Sequence, residues 1–413
     1  MAQLNITLNQ DEILQLLSDN REDAFKLLLQ ESLNNILLAE STAQIGAEKY
    51  ERSSERRDSR NGSRQRPLTT RIGTIELNVP RHRGEPFHTM IFDNYSRSES
   101  ALILSMAEMV VGGVSTRRVS KVMETLCGKS YSKSTVSDVC KTLDASVQKF
   151  KNRQLEFNYP FLYVDATYFK VREGHRIVSK ALMVALAITE TGTREIIGFE
   201  VYNNESKETW KHFLESLKER GLTGLKTITS DAHEGIIYAI SKVYPTVPWQ
   251  RCQTHFSRNV LENAPAMYKK AIHAELNDMY HCKTVEEARK KKEEIIDEYQ
   301  DVAGKSMECL DYGFEDVMTV MALPGSCRRY IRTTNHLERL NRELKRRSKV
   351  IGVFPNVDSL LRLMGSVLLE LHEVYSVTQK IRMSKEDYEK IYTPEIDKKL
   401  MKIAKEQQQM FAA

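Results

Sequence analysis

FLYVDATYFKVR, Phe161–Arg172, is the stretch that decides the fold. Four apolar residues, Phe161 to Val164, run without a polar break into Asp165. A short continuous apolar run reads as a strand buried on both faces. The acid at its end has little water around it, and either turns the chain or binds something cationic. Two later acids occupy comparable places: Asp231 in TITSDAHEG and Glu338 in TTNHLERLNRELKRR. Each sits at a predicted element boundary or on a polar helix face. Three acids far apart in sequence, on elements that one fold can bring together, suggest a divalent-metal site.

Beyond the first strand, the apolar run Ala181–Ile188 predicts a second strand and Glu195–Tyr202 a third. Their links are short, so the three form an antiparallel meander. Trp210, Phe213, Leu214 and Leu217 recur at helical spacing, and Gly221 closes that helix. Leu225–Ser230 is a fourth strand ending at Asp231. Ile236, Ile237, Ala239, Ile240 and Val243 give a helix stopped by Pro245, and Val247–Cys252 is a fifth strand. This is the element order of a ribonuclease H-like domain, in which the first and fourth strands are neighbours and Asp165 and Asp231 could share a metal.

Residues 256–330 carry no strand signal and read as an all-α insertion, with MYKKAIHAELNDMY, VEEARKKKEEIIDEYQ and FEDVMTVMALP helical. After it, Thr333 or Thr334 caps a helix through Lys349. Leu337, Leu340 and Leu344 form its buried seam, and Asn335, Glu338, Arg342 and Lys345 a polar stripe. The bland alternative for Glu338 is an i,i+4 ion pair with Arg342.

On the N-terminal side, residues 1–50 show helical periodicity, from Ile13, Leu14, Leu16 and Leu17 through Phe25, Leu28, Leu29, Leu33, Ile36 and Leu37. Residues 51–66, ERSSERRDSRNGSRQR, read as a linker or a basic arm that orders on DNA. Thr69–Pro80 predicts a short hairpin or edge strand. Three helical runs follow. Ala101–Val111 ends at Gly112-Gly113, a second is capped by Ser115 or Thr116 and closed by Gly128, and a third is capped by Ser132 or Ser134. Val136, Val139, Leu143 and Val147 of the third face inward, and Thr135, Ser137, Asp138 and Lys141 outward. Two short helices and a tight turn are a candidate helix-turn-helix, and a plain helical hairpin fits the same pattern.

The expected architecture is therefore a multidomain α/β protein. It comprises a helical N-terminal region (1–50), a basic linker with a short β segment (51–98) and a helix-turn-helix DNA-binding domain (99–155). A ribonuclease H-like catalytic domain (156–255 and 331–375) is split by the all-α insertion (256–330), and a helical tail (376–413) follows. At 413 residues and 41% hydrophobic content there is enough chain for more than one core. The formal charge of +5 is modest, but its distribution is not. Arg52, Arg56, Arg57, Arg60, Arg64 and Arg66 crowd one segment, and Arg328, Arg329, Arg332, Arg339, Arg342, Lys345, Arg346, Arg347 and Lys349 another. Such clusters are an electrostatic footprint for phosphate backbones. Six cysteines without paired spacing suit a reducing setting. The opening residues lack the build of a signal peptide, and no apolar run approaches the ~20 residues that span a bilayer. The expectation is a soluble, cytoplasmic, DNA-associated bacterial protein with no membrane partner.

DATYFKVR, SDAHEG, WQRCQTHFSRN and TTNHLERLNRELKRR together resemble the signatures of bacterial insertion-sequence transposases of the Mutator type, the IS256 family. The resemblance runs from about residue 40 to 375. It implies a DDE transposase whose acids fall on Asp165, Asp231 and Glu338, with a Cys-x2-His signature on Cys252 and His255. It further implies two Mg2+ or Mn2+ ions, bridged by Asp165 and completed by Asp231 and Glu338. One would activate the nucleophile and the other stabilise the leaving oxygen. Double-stranded DNA would be the partner, both as terminal inverted repeats and as target, with a homodimer or higher assembly pairing two ends. Candidate DNA contacts are Arg56, Arg57, Thr135, Ser137, Lys141, Lys170, Arg172, Arg342, Lys345 and Arg346. Cys252 and His255 resemble half a zinc site, but His281, Cys282 and Cys309 lack paired spacing, so a structural role beside the pocket is the preferred reading. The competing readings are a nuclease or resolvase on the same fold, and a transposase-derived DNA-binding regulator.

Overall fold

The computed structural model describes residues 21–51, 54–70, 73–89, 100–127, 130–377, 381 and 385–412. The predicted contributions of Ile13, Leu14, Leu16, Leu17, Arg52, Ile72 and Gly128 lie outside these residues. The chain divides into two compact units, 1–142 and 143–413.

In the first unit a long helix, α1 (Arg21–Ile45), packs on a hairpin of β1 (Arg60–Thr70) and β2 (Gly73–His82). Ile75, Leu77 and Val79 alternate on one face of β2 and meet Leu37, with Leu29 and Leu33 beside it. The Gln30 and Asn34 side chains of α1 accept from the Glu76 and Asn78 backbone N–H groups (3.3 and 2.8 Å), covering part of the edge of β2. Residues 60–66, expected as part of a linker or arm, are instead the first half of β1. Polar side chains there hid the strand, because β1 takes its register from the apolar partner, with Arg64 opposite Val79 and Arg66 opposite Leu77.

Three short helices complete this unit: α2 (Ser100–Val111), α3 (Thr116–Cys127) and α4 (Lys133–Cys140). They share a core of Leu102, Met106, Val119, Met123, Tyr131 and Val136. Ser132 caps α4, accepting from Thr135 N at 3.0 Å. Helix α4 is only eight residues long. Lys141 lies at its C-terminal cap, in a 3-10 turn, rather than on its outer face as expected. Val147 belongs to the next helix, α5 (Asp144–Lys151), in the second unit.

The second unit is built on a five-stranded mixed sheet in the order β5-β4-β3-β6-β7. The strands are β3 (Phe161–Glu173), β4 (Arg176–Ile188), β5 (Arg194–Tyr202), β6 (Thr227–Ser230) and β7 (Trp249–Arg251). The first three form the antiparallel meander read from the sequence. The fourth lies parallel to β3, and the fifth parallel to β6. A core of Leu162, Val164, Met183, Ala185 and Ile197 meets Trp210, Phe213, Leu214 and Leu217 of α6 (Lys207–Glu219). Ile236, Ala239 and Ile240 of α7 (Glu234–Val243) complete it.

Between β7 and the helix bearing Glu338, the elements among the described residues are helical. They are α8 (Gln253–Glu262), α9 (Lys269–Tyr280), α10 (Val285–Met318), a 3-10 turn and α11 (Gly325–Ile331). The span α10 covers 34 residues but is broken at Ala303, whose φ of −143° and ψ of 41° are not helical. Two helices therefore meet there, as two were expected within 285–324, with the break earlier than the sequence placed it. Then come α12 (Asn335–Ser348) and α13 (Val357–Val377). Gly365 lets α13 approach closely: a Cβ there would stand 2.4 Å from Val147 and 3.0 Å from Phe199. After α14 (Lys385–Lys390), α15 (Pro394–Ala412) docks beside β7. Its Gln407 accepts from Trp249 N (2.9 Å) and donates to Trp249 O (2.8 Å), acting as a surrogate strand partner.

Candidate active site

The parallel register of β3 and β6 sets the site. Tyr163 pairs with Thr229, so Asp165 and Asp231 lie equally far, two residues, beyond that pair on neighbouring strands running the same way. Asp165 lies inside β3, which runs on to Glu173, and Asp231 immediately follows the last residue of β6, so the two acids stand side by side where β6 stops. Asp231 Oδ1 is buried and accepts no hydrogen bond from any described residue. Asp165 Oδ1 accepts from Ala166 N at 2.9 Å, and Oδ2 from the Asn341 amide at 2.7 Å. Burial, with the Asp231 charge adding to it, pushes the Asp165 carboxyl up to about 7, against the pull of the Ala166 N–H and of His255. Two neighbouring carboxylates short of positive charge are an arrangement that a cation relieves.

Glu338 is in the first turn of α12, and the loop before that helix is pinned to the sheet. Tyr163 Oη donates to Tyr330 O (2.9 Å), Thr229 Oγ1 to Ile331 O (3.0 Å), and Gln253 N to Arg332 O (2.9 Å). Cys252, fully buried, accepts from Thr334 N and Thr334 Oγ1 at 3.3 Å each. Thr334 stands at the N-cap position, but its hydroxyl serves Cys252 instead of capping α12. Cys252 N in turn donates to Ser230 O at 2.8 Å, next to Asp231. The Cys-x2-His motif therefore ties the ends of β6 and β7 to the start of α12.

Glu338 Oε1 lies 3.4 Å from His255 Nε2 and 3.4 Å from Arg258 Nη1, both on α8. It does not form the i,i+4 pair with Arg342 that the sequence also allowed; its partners come from another helix. The neighbouring Cys252 is the largest influence raising His255 above the usual imidazole range, with the Asp231 and Glu338 charges adding to it and burial opposing. For Cys252, burial pushes the thiol up, and the nearby His255 together with the hydrogen bonds from Thr334 outweighs it and leaves it lowered. Among the described residues no three His, Cys, Asp or Glu side chains gather closely enough to hold a metal ion together. The fit to a divalent cation therefore rests on the aspartate pair and the orphaned Asp231 oxygen, while Glu338 is engaged by His255 and Arg258.

The basic candidates differ in availability. Arg342 on α12 is exposed, as are Lys170 and Arg172 on β3. Lys345 is committed to Tyr168 O and stands 4.4 Å over the Phe169 ring. Arg346 grips Glu343 through two bonds of 2.7 Å. Those contacts, shared with Arg347, hold the Glu343 carboxyl down at about 2 despite some burial. In the first unit, Thr135 and Ser137 are exposed on α4, and Lys141 pairs with Asp138 at 2.8 Å. Arg56 donates to the Glu51 and Asp58 carbonyls (3.0 and 3.2 Å), and Arg57 is exposed. Asn341, Arg258 and Thr334 were missed as site residues. Helical spacing was the available signal for two of them: Asn341 is three residues beyond Glu338, and Arg258 three beyond His255.

These acids and basic helices sit in a chain that belongs to a known class of enzyme: the family model described as "Transposase, Mutator family" matches residues 1–378, and the protein is a member of that family. It is thus a transposase, an enzyme that cleaves and transfers DNA strands. Among its relatives, the transposase for insertion sequence element IS256 in transposon Tn4001 of Staphylococcus aureus is 43% identical over 391 residues, 93% of this chain and all of the relative. The transposase for ISRM5 of Rhizobium meliloti is 38% identical, over 85% of this chain and 88% of its own length. That for IS1081 of Mycobacterium tuberculosis is 37% identical, over 87% and 88%. Among the described residues no helix is long and apolar enough to cross a membrane.

Proposed function

We propose that the protein is a DDE transposase of ribonuclease H-like fold that binds the terminal inverted repeats of its element and cleaves and joins DNA at Asp165, Asp231 and Glu338. The observation that carries this reading is the β3–β6 register, which puts Asp165 and Asp231 side by side with an unbalanced negative charge. The strand order β5-β4-β3-β6-β7, with helices between the second acid and the third, is the arrangement expected of that fold. Family membership points in general terms to a divalent metal, and carboxylate donors suit Mg2+ or Mn2+. When bound, such an ion supplies Lewis acidity toward a phosphodiester and lowers the pKa of an attacking water or hydroxyl.

The chain's own residues do the rest. Asp165 and Asp231 would hold the cation. Glu338, in the first turn of α12, completes the acidic set on exchanging its contact with Arg258. Arg258 is then free to face a DNA phosphate. His255 and Cys252 keep the start of α8 against α12, so the third acid stays in register with the first two. Exposed Arg342, Lys170 and Arg172 provide sequence-independent attraction for the DNA backbone. One site serves both steps, since strand cleavage uses water and strand joining uses the freed 3′-hydroxyl. Pairing two element ends calls for at least a dimer.

The test is cleavage of a labelled terminal repeat by the full-length protein. Mg2+ and Mn2+ support cleavage, and Ca2+ supports binding with little chemistry. Cleavage undiminished in a chelator refutes the metal-dependent reading.

A further inference from the structure

We propose that Asn341 is a positioning residue of this site, holding the Asp165 carboxylate ready for a cation from the same helix that carries Glu338. The inference rests on the reading of Asp165 as a metal ligand. Asn341 Nδ2 donates to Asp165 Oδ2 at 2.7 Å, a short contact of the kind made to ionised acceptors. The Ala166 N–H holds the other oxygen. Two donors from different directions fix the rotation of the carboxylate about its own bond. Each oxygen keeps a further lone pair, so neither donor blocks a cation.

The other end of the Asn341 amide is informative. Its Oδ1 is buried and has no hydrogen-bond partner. A buried acceptor left unpaired is a net cost, and reversing the amide would turn oxygen against oxygen. The side chain is therefore oriented by what it donates to Asp165. Asn341 also lies three residues after Glu338, on the same side of α12, next to the buried seam of Leu337, Leu340 and Leu344. A single anchored helix thus presents an acid and, one turn on, the amide that aligns another acid on β3. Partners that orient metal ligands act on affinity through the ligand they hold.

The experiment is calorimetric titration of Mn2+ alone into the full-length chain, without DNA, for wild type, Asp165→Asn, Asn341→Ala and Asn341→Gln. Asp165→Asn loses the site. Asn341→Ala weakens Mn2+ binding by about 10- to 100-fold, and Asn341→Gln, which retains a donor on a longer arm, recovers part of it. An amide that merely packed α12 against β3 would move thermal stability in chelator and leave Mn2+ affinity alone. Wild-type affinity in both Asn341 variants, with Asp165→Asn still deficient, overturns this inference and leaves the site reading intact. Should Asn341→Ala not fold, Asn341→Gln decides in the same way. Wild type and Asp165→Asn titrating alike overturns the site reading and this inference with it.

Discussion

Replacing Asp165 with Asn is expected to make the metal-free protein more stable while destroying its chemistry. The Asp165 carboxyl is raised to about 7 by burial and by Asp231, against an ordinary value of 3.8. Between about pH 4 and 7 the folded state keeps a proton that the unfolded chain has released. Stability therefore falls as pH rises through that window, and the loss is complete above pH 7. A difference of about 3 units at ~1.36 kcal/mol each sets a ceiling of ~4 kcal/mol. Asp165 is only partly buried and its surroundings relax, so about 2 kcal/mol is the working figure. Asparagine keeps the shape and carries no charge to repel Asp231, and its single oxygen accepts from Asn341 or from the Ala166 N–H, so one of the two hydrogen bonds is given up. The assay is urea unfolding in EDTA at pH 4.5 and pH 8. The chain's two tryptophans, Trp210 and Trp249, both lie in the second unit and report on it alone. The account expects Asp165→Asn to gain about 2 kcal/mol at pH 8 and much less at pH 4.5. No gain at pH 8, or a larger gain at pH 4.5, refutes the charge-repulsion argument.

Three other outcomes are expected. Asp316 is buried and raised to about 6, mainly by burial, against the hydrogen bond from Gln407; stability should fall between about pH 4 and 6, and Asp316→Asn should flatten that slope and gain up to ~3 kcal/mol at pH 7 in the same unfolding experiment. Gly365→Ala drives a methyl into Val147 and Phe199 and should cost about 1–3 kcal/mol; an unchanged melting temperature would mean that α13 is not packed as described. Losing Arg56 and Arg57 together should weaken binding to any duplex and lower the slope of log affinity against log salt by about 1 per lost phosphate contact, and an unaltered slope removes these arginines from the interface.

The sheet was legible because its strands are written in nearly pure code. Four apolar residues ending in an acid, then a wholly apolar run at Ala181–Ile188, leave one sensible reading, and the short links force the meander. The hairpin was half hidden for the opposite reason. Arg60–Arg66 is polar, and its strand geometry comes from pairing with β2, information that sits in the partner. Helix α4 stops at Cys140 although the apolar spacing of Leu143 and Val147 continues it, because the chain there passes into the second unit. Around the site, the motif acids could be named from their context, but their partners could not. The contacts of Glu338 with His255 and Arg258, and of Asn341 with Asp165, join residues 80 to 176 positions apart. Periodicity along one helix says which side a residue faces, not what it meets there.

The most direct measurement of the central claim is cleavage of a labelled terminal repeat, with joining of a pre-cleaved end, by Asp165→Asn, Asp231→Asn and Glu338→Gln beside the controls Glu343→Gln and Glu234→Gln. The account predicts that each of the first three binds the repeat, with cleavage and joining lost together, while both controls keep substantial activity. Normal cleavage by Glu338→Gln with Glu343→Gln inactive would move the third acid along α12, and cleavage by all three acid variants would contradict the site altogether.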